Sequence, residues 1–224
     1  MSASAFNHKK STEAGFTLVE IAIVLVIIGL LLGGILKGQE MITQARIKNV
    51  INDFNGITVA VTSYQDRYRF LPGDDPGANA RWTVQAPTSG NGNGTVEGLY
   101  NDATATTESH LFWQHLRIAG FVPGLTTGAG SGTPPPNAVA GIIGVENAVT
   151  TGVGLGFTGL IACSSNIPDK VASAIDTQMD DSNSQTGQVR AQLQGGPNPV
   201  LGTTAATSYV ETGVNQYLVC KPFS

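Results

Sequence analysis

Charged side chains are scarce in this sequence, and their scarcity limits the classes of protein to which it can belong. Only 12% of the 224 residues are Asp, Glu, Lys or Arg, and the formal net charge is −4. Such low charge argues against a chain kept disordered by self-repulsion. Because Lys and Arg form no run, a broad basic face for nucleic acid is not expected. The length allows one globular domain and one additional element.

The motifs of common catalytic and metal sites are also missing. The sequence has no Gly-x-Ser-x-Gly elbow, phosphate loop or dinucleotide fingerprint. His110 and His115 are five positions apart, whereas ligands on one helix face are three or four apart. We therefore expect surface or packing roles for both histidines, and we predict that the protein is not an enzyme.

Cysteine is rare as well. Cys163 and Cys220 are the two in the chain, and neither belongs to a Cys-x-x-Cys pair. A metal site needs more ligands close by, so we predict a single disulfide between them. A disulfide implies an oxidising compartment, and closing a loop of this length is worth about 4 kcal/mol in the chain-entropy model.

A long apolar run is present near the N-terminus. Residues 16–36 read FTLVEIAIVLVIIGLLLGGIL, and no residue from Ile21 to Leu36 is charged. As a helix this segment is about 31 Å long, which matches a bilayer core of about 30 Å. It is followed by KGQEMITQ and not by the small-x-small site of a secretory signal, so we expect it to remain in the mature protein. Lys9 and Lys10 precede it and predict a cytoplasmic N-terminus.

Glu20 is the exception in this run, because a carboxylate well inside a bilayer costs a few kcal/mol. Either Glu20 lies at the interface or it has a cationic partner. The residues from Gly15 to Glu20 read GFTLVE, and with the apolar run behind them they resemble the processing motif of type IV prepilins and type II secretion pseudopilins. This resemblance implies that a prepilin peptidase cuts between Gly15 and Phe16 and that Phe16 is N-methylated. It also implies that Glu20 pairs with the Phe16 amine of a neighbouring subunit during assembly.

Helical periodicity continues beyond the apolar run and ends near Pro72. The steps of three and four place these residues on one face: Ile47, Val50, Ile51, Phe54, Ile57, Val61, Tyr64 and Tyr68. Two Gly-x-x-x-Gly pairs occur earlier in the helix, and such spacing allows close approach of helices in lipid. These glycines are Gly29, Gly33, Gly34 and Gly38.

For the remainder of the chain the sequence predicts a small antiparallel β-sheet with short helices, so the fold class is α+β. The resemblance to prepilins implies that the arrangement is pilin-like. Residues 72–110 are expected to be loop. Helices are predicted over 109–120 and 168–180, and strands over 141–149, 156–163, 188–193 and 217–220. The expected organisation is a leader at 1–15, a transmembrane and assembly helix at 16–36, an amphipathic helix at 37–70, and a periplasmic or extracellular head at 71–224.

Two segments are rich in oxygen ligands. Asp176, Asp180, Asp181 and Asn183 could bind a structural Ca²⁺, the alternative being a solvated helix end. Residues 89–96 read SGNGNGTV and resemble the start of a calcium loop, but Tyr100 stands where the loop needs Glu, so a surface turn is the alternative. Asp74 and Asp75 are expected to be turn residues. No other cofactor is predicted.

The function predicted from the resemblance is that of a structural subunit of a type IV pilus or type II secretion pseudopilus. Its partners would be the prepilin peptidase, other pilin subunits, the inner-membrane assembly platform and the lipid bilayer. The expected location is the bacterial inner membrane, and then the pilus at the cell surface or a periplasmic pseudopilus. The alternatives are a minor tip pilin for adhesion or DNA uptake, a membrane-tethered binding protein that never polymerises, and an anchored enzyme.

Overall fold

The computed structural model describes residue 15 and residues 17–148, 154–196 and 203–223. The chain forms two compact units, Met1–Ile42 and Thr43–Ser224. A single long helix, α1, is assigned from Leu18 to Tyr68. It is followed by the short helix α2 (Ala78–Arg81) and by α3 (Glu108–Ile118). The predicted leader lies outside the described residues, apart from Gly15.

The second unit contains an antiparallel sheet whose described strands have the order β1-β2-β4-β3. The strands are β1 (Ile143–Asn147), β2 (Leu160–Pro168), β3 (Arg190–Leu193) and β4 (Gln216–Pro222). A 3-10 turn at Gly154–Gly156 precedes β2, and helix α4 (Asp169–Met179) follows β2 directly. The long helix and small antiparallel sheet confirm the predicted α+β, pilin-like fold class.

Helix α1 packs on the sheet through the face that its periodicity predicts. Its buried residues begin at Ile47 and include Phe54, which is 2% exposed, and Tyr64, which is fully buried. The part near Phe54 shares a core with α4 and with one face of β2 and β4. The part near Tyr64 shares a second core with α3 and β1. This half of α1 is therefore held by apolar burial, which contributes about 25 cal/mol per Å².

The disulfide joins the two central strands on the opposite face of the sheet. Cys163 in β2 and Cys220 in β4 are directly opposed in the register and are bonded to each other. Both are fully buried in a third core, together with Tyr100 and Leu218. The predicted pairing of the two cysteines is present in the structure.

Several predicted boundaries differ from the structure. The strand predicted from residue 156 begins at Leu160, because residues 154–156 form the 3-10 turn, and it extends to Pro168. A register shift between Ser164 and Ile167 lets this strand continue past an irregularity. The loop predicted for 72–110 contains α2. Residue 149, the end of the first predicted strand, lies outside the described residues.

Helix α1 ends at Tyr68, which is the last residue of the predicted apolar periodicity and lies just before Pro72. Arg69 adopts φ of 67°, and its N–H still donates to the carbonyl of Gln65 at 2.8 Å. A left-handed residue at this position is the usual way to end a helix, although glycine is the usual occupant. The chain leaves the helix at Arg69 and runs into a loop that contains two buried aspartates.

Candidate functional site: the N-terminal end of the long helix

Helix α1 begins with a capping box formed by Thr17 and Glu20. The backbone N–H and the hydroxyl of Thr17 each donate to Oε2 of Glu20 at 2.8 Å. In return, the backbone N–H of Glu20 donates to Oγ1 of Thr17 at 3.3 Å. The reciprocal bonds satisfy backbone donors that the first turn of a helix would otherwise leave free. The side chain of Glu20 is thus held at the helix N-terminus, where the helix dipole favours an anion.

The first unit contains an apolar surface that it does not cover itself. None of its described side chains is buried, and Leu18, Leu30 and Leu36 are 92%, 72% and 67% exposed. An 18-residue window of α1 has a mean hydropathy of 2.8, so the helix is long and apolar enough to cross a membrane by length and composition. Its charged pair, Lys37 and Glu40, forms an exposed ion pair of 2.8 Å within the helix.

The glycines of this segment leave open surface on the helix. At Gly29, Gly33, Gly34 and Gly38, an added Cβ would meet no described heavy atom within 4 Å. A glycine inside a helix costs about 1 kcal/mol relative to alanine, and here no contact within the unit requires it. Their spacing leaves strips where another helix can approach closely.

The comparison with protein families adds to this geometry. Residues 10–36 match the family model for the prokaryotic N-terminal methylation motif, which is the hallmark of type IV prepilins and pseudopilins. The resemblance seen in GFTLVE is therefore confirmed for this segment, and the chain carries a prepilin-type methylation motif. Comparison with curated proteins and with solved structures gave no significant match.

The motif and the helix together define a coarse class. The methylation motif supports a processed subunit of the pilin or pseudopilin kind, and such a motif implies processing by prepilin peptidase. The family is one of structural subunits. The exposed apolar helix and the motif both fit anchoring in the inner membrane.

The predicted assembly residues differ in how far the structure describes them. Gly15 is exposed and not helical, and Glu20 lies in the first turn of α1. Phe16 lies outside the described residues. Sequence reasoning missed Thr17, although Thr-x-x-Glu before an apolar run is a recognisable capping signal.

The acidic cluster predicted as a calcium site is partly brought together at the end of α4. Carboxylate oxygens of Asp176, Asp180 and Asp181 all lie within 4.8 Å of one another, and Asp176 is fully buried. Asn183 instead accepts the backbone N–H of Gln185 at 3.1 Å. Burial raises the pKa of Asp176, partly offset by a hydrogen bond from Tyr209. Each carboxylate already accepts protein donors, which include Tyr209 Oη and Ser182 N for Asp176, Val189 N for Asp180, and Thr186 Oγ1 for Asp181.

The Gly/Asn segment near residue 92 has the polarity of an anion site. The backbone N–H groups of Gly92, Asn93 and Gly94 donate to the carboxylate of Asp74 at 2.6, 3.0 and 2.8 Å. Successive N–H groups that converge on one point form a nest for an anion, and here the anion is internal. This favours the turn alternative over the calcium loop. Tyr100, at the twelfth position of that loop, is 1% exposed in a core.

Asp74 and Asp75 anchor the loop after α1 and are more than turn residues. Both are almost completely buried. Asp75 accepts a hydrogen bond of 2.7 Å from the Tyr64 hydroxyl and an ion pair of 2.5 Å from Arg81. Burial alone would raise the pKa of Asp75, but the bonds from Arg81, Tyr64 and the Gly77 N–H outweigh it and hold the pKa below its usual range. The loop is therefore tied to α1 by the buried hydrogen bond from Tyr64 to Asp75, while the Asp75–Arg81 ion pair joins the loop to α2.

Both head histidines are packing residues in the structure. His115 is fully buried: its Nδ1 accepts the Gly73 N–H at 3.0 Å, and its Nε2 lies 2.9 Å from the Thr88 carbonyl. These partners assign the proton to Nε2. His110 is 6% exposed and packs so closely on Gly132 that a Cβ there would meet Nδ1 at 2.0 Å. Burial lowers the pKa of both imidazoles.

Proposed function

We propose that this protein is a structural subunit of a helical filament, either a type IV pilus or a type II secretion pseudopilus. Prepilin peptidase removes residues 1–15 by cutting between Gly15 and Phe16, and the new amine of Phe16 is methylated. The observation that carries this proposal is the methylation motif at residues 10–36, which leads directly into an exposed apolar helix. Such a surface needs lipid before assembly and neighbouring subunits after it.

In this proposal, Glu20 selects the register in which a subunit joins the filament. The carboxylate pairs with the Phe16 amine of a neighbouring subunit, and in low dielectric such a pair is much stronger than in water. Thr17 supports the arrangement because its two bonds fix the carboxylate at the first turn. Lys9 and Lys10 keep the leader in the cytoplasm, the head lies on the periplasmic side, and the assembly platform of the inner membrane receives the processed subunit.

Mass spectrometry of the mature N-terminus tests the processing step. We expect the protein to begin at methylated Phe16 and to be present in sheared filaments. A chain that still begins at Met1, or that is cut beyond Leu36, would contradict the proposal. Copy number in the filaments then distinguishes a major subunit from a minor tip pilin.

The variant Glu20→Ala tests the assembly step. Membrane insertion should be unchanged, because the apolar run is kept, whereas incorporation into filaments should fall by at least about tenfold, the equivalent of 1.4 kcal/mol. Glu40→Ala, which removes an exposed carboxylate on the same helix, is the matched control and should assemble normally. A membrane-tethered binding protein or an anchored enzyme would tolerate both changes equally.

A structural Ca²⁺ at Asp176, Asp180 and Asp181 is a second, separate proposal. The three carboxylates converge on one region, and their like charges would be relieved by a divalent cation. Calorimetric titration of the full chain with CaCl₂ should give binding that Asp180→Asn weakens. Asp66→Asn, an exposed change on α1, is the control. Absence of binding at millimolar Ca²⁺ would assign the cluster to a solvated helix end.

A further inference from the structure

A groove lined by a carboxylate on one side and by aromatic and apolar residues on the other lies beside the second half of α1. Its volume is about 280 Å³, and it is lined on one side by Asp53 and Gly56 of α1. Trp113, Phe121 and Pro135 form much of the other side, so the walls are largely aromatic and apolar. All of these residues belong to the unit that begins at Thr43.

Asp53 places a half-buried carboxylate in this groove without a partner. Among the described residues, no hydrogen-bond donor or cation contacts its side chain, and burial alone raises its pKa. A desolvated carboxylate with no partner costs free energy, which a cation entering the groove would recover. The other buried aspartates differ, because Asp74, Asp75 and Asp169 each accept several hydrogen bonds.

Gly56 keeps the groove open at a cost to the helix. It lies inside α1, is exposed, and an added Cβ there would meet no described atom within 4 Å. Glycine at such a position destabilises a helix by about 1 kcal/mol relative to alanine, and no close packing requires it. The missing side chain leaves space beside the Asp53 carboxylate.

These features select a cationic side chain with an apolar stem. A lysine or arginine can lay its methylene groups along apolar walls while its charge meets the carboxylate. The partly exposed ring of Phe121 adds attraction for a cation. A neutral or acidic side chain would leave Asp53 without compensation.

We propose that the groove receives Lys48 from a second copy of this chain. Lys48 is exposed on α1 and makes no ion pair with any described residue. It precedes Asp53 by five residues and so lies about 140° around the helix and about 7.5 Å along it. The donor and the groove are therefore on different faces, as an open head-to-tail assembly requires. Arg46, seven residues before Asp53, shares the face of the groove and cannot serve in this way.

This inference rests on the proposed filament and gives it one specific lateral contact. Each copy receives Lys48 in its groove and presents its own Lys48 to the next copy. Because the two patches differ, the contact does not close into a dimer and can be repeated along a filament. The pair links the amphipathic halves of neighbouring helices, beyond the segment matched by the methylation motif.

The first experiment uses the unmodified protein in sheared filaments. Carbodiimide treatment joins a carboxylate to an amine that it contacts, so a Lys48–Asp53 isopeptide is expected in the peptide mass spectrum. In filaments mixed from isotopically light and heavy subunits, the linked peptides should include mixed light–heavy pairs. Filaments that lack this cross-link, or that link Asp53 to a lysine of another protein, would overturn the proposal. If the unmodified chain is itself missing from the filaments, the proposed function fails, and this inference fails with it.

Charge reversal gives the second experiment. Asp53→Lys should lower incorporation at least about tenfold, the equivalent of 1.4 kcal/mol, which is at the low end for close charge pairs. Adding Lys48→Asp should restore incorporation, whereas adding the matched Arg46→Asp should not. Normal incorporation of Asp53→Lys, or rescue by the Arg46 change alone, would contradict the assignment of Lys48.

The variant Gly56→Leu tests whether lost incorporation comes from a filled groove or from a misfolded chain. Leucine is a strong helix former, so the melting temperature of the full chain in detergent should be unchanged or higher. Its side chain fills the groove, and incorporation should fall to the level of Asp53→Lys. A variant that remains stable and still assembles would show that the groove is not an assembly contact.

Discussion

The two halves of α1 differ in where their apolar surface finds a partner. In the first half, apolar residues surround the helix and every described side chain up to Ile42 is at least partly exposed. In the second half they are confined to one face, and residues such as Val50 and Phe54 are buried against the sheet and α4. One continuous helix therefore has two kinds of surroundings, and among the described residues the chain itself covers the apolar face of the second half alone.

This difference explains why apolar residues in the two halves of one helix affect the stability of the head differently. Burial in the head is a folding interaction, so its loss lowers the free energy of unfolding. The exposed apolar side chains of the first half make no such contribution, and their surface is available to lipid or to another helix. Changes there should alter anchoring and assembly and leave the stability of the head unaffected.

The largest expected effect comes from truncating an apolar side chain in the second half of α1, and the same kind of change in the first half is its control. Phe54→Ala should lower the free energy of unfolding of the head by about 3–5 kcal/mol, because it creates a cavity between α1 and the sheet. Leu31→Ala, at a 61% exposed position, should leave that free energy unchanged. Denaturant unfolding of the full chain in detergent, followed by tryptophan fluorescence, reports on the head because Trp82 and Trp113 both lie there. Equal effects of the two changes would refute the division of α1.

The disulfide should give the next largest effect. Replacing Cys163 and Cys220 together by alanine should lower the free energy of unfolding by about 2–4 kcal/mol, because the cross-link limits the unfolded chain. The separation of 57 residues is long, and both side chains are fully buried, so alanine places no unpaired polar group in the core. Membrane insertion should not change. The parent protein unfolded with a reducing agent is the control, and it should match the double variant.

Lowering the pH should reduce the free energy of unfolding of the head and should affect the apolar half of α1 less. Burial lowers the pKa of His115 in the folded state, whereas its unfolded value is near 6.5. The unfolded chain therefore binds the proton more strongly, so this contribution to stability is complete above about pH 6.5 and is lost as the pH falls toward the folded pKa. One such group changes the free energy of unfolding by up to about 1.4 kcal/mol per pH unit.

Unfolding of the full chain between pH 5 and pH 7 measures this slope. His115→Gln should reduce it, and combining it with His110→Gln should reduce it further, because burial lowers the pKa of both imidazoles. An unchanged slope in the double variant would rule out the histidines as its source. Asp75 acts at lower pH: its folded pKa is depressed, so its contribution is present above its unfolded value and disappears only as the pH falls through the folded value.

Much of the fold follows from periodicity, which is a local property of the sequence. Steps of three and four residues predicted the buried face of α1, including Ile47, Val50, Phe54 and Tyr64. The sequence also predicted the disulfide, because two cysteines without other metal ligands leave few alternatives. The irregularity between Ser164 and Ile167 could not be predicted in this way, since it depends on the register with β4.

The features that the sequence did not predict are mostly those that depend on residues distant in the chain. Asp74 and Asp75 read as turn residues, but their partners lie up to 20 positions away, at Gly94 on one side and Tyr64 on the other. The groove at Asp53 depends on how the loop near Phe121 packs beside α1. Thr17 is different, because its capping signal is local and was overlooked beside the charge of Glu20.

The smallest predicted effect concerns the first turn of α1. Thr17→Ala should weaken this turn by about 1 kcal/mol, because it removes one hydrogen bond to Glu20 Oε2 and one from the Glu20 N–H. The amides of the first turn should then exchange with deuterium about fivefold faster in detergent, while amides near Phe54 keep their protection. Thr17→Ser retains the hydroxyl and should restore slow exchange. Equal rates in the alanine and serine variants would mean that the hydroxyl does not cap the helix, and Glu20 would then be positioned by the remaining bond from the Thr17 backbone alone.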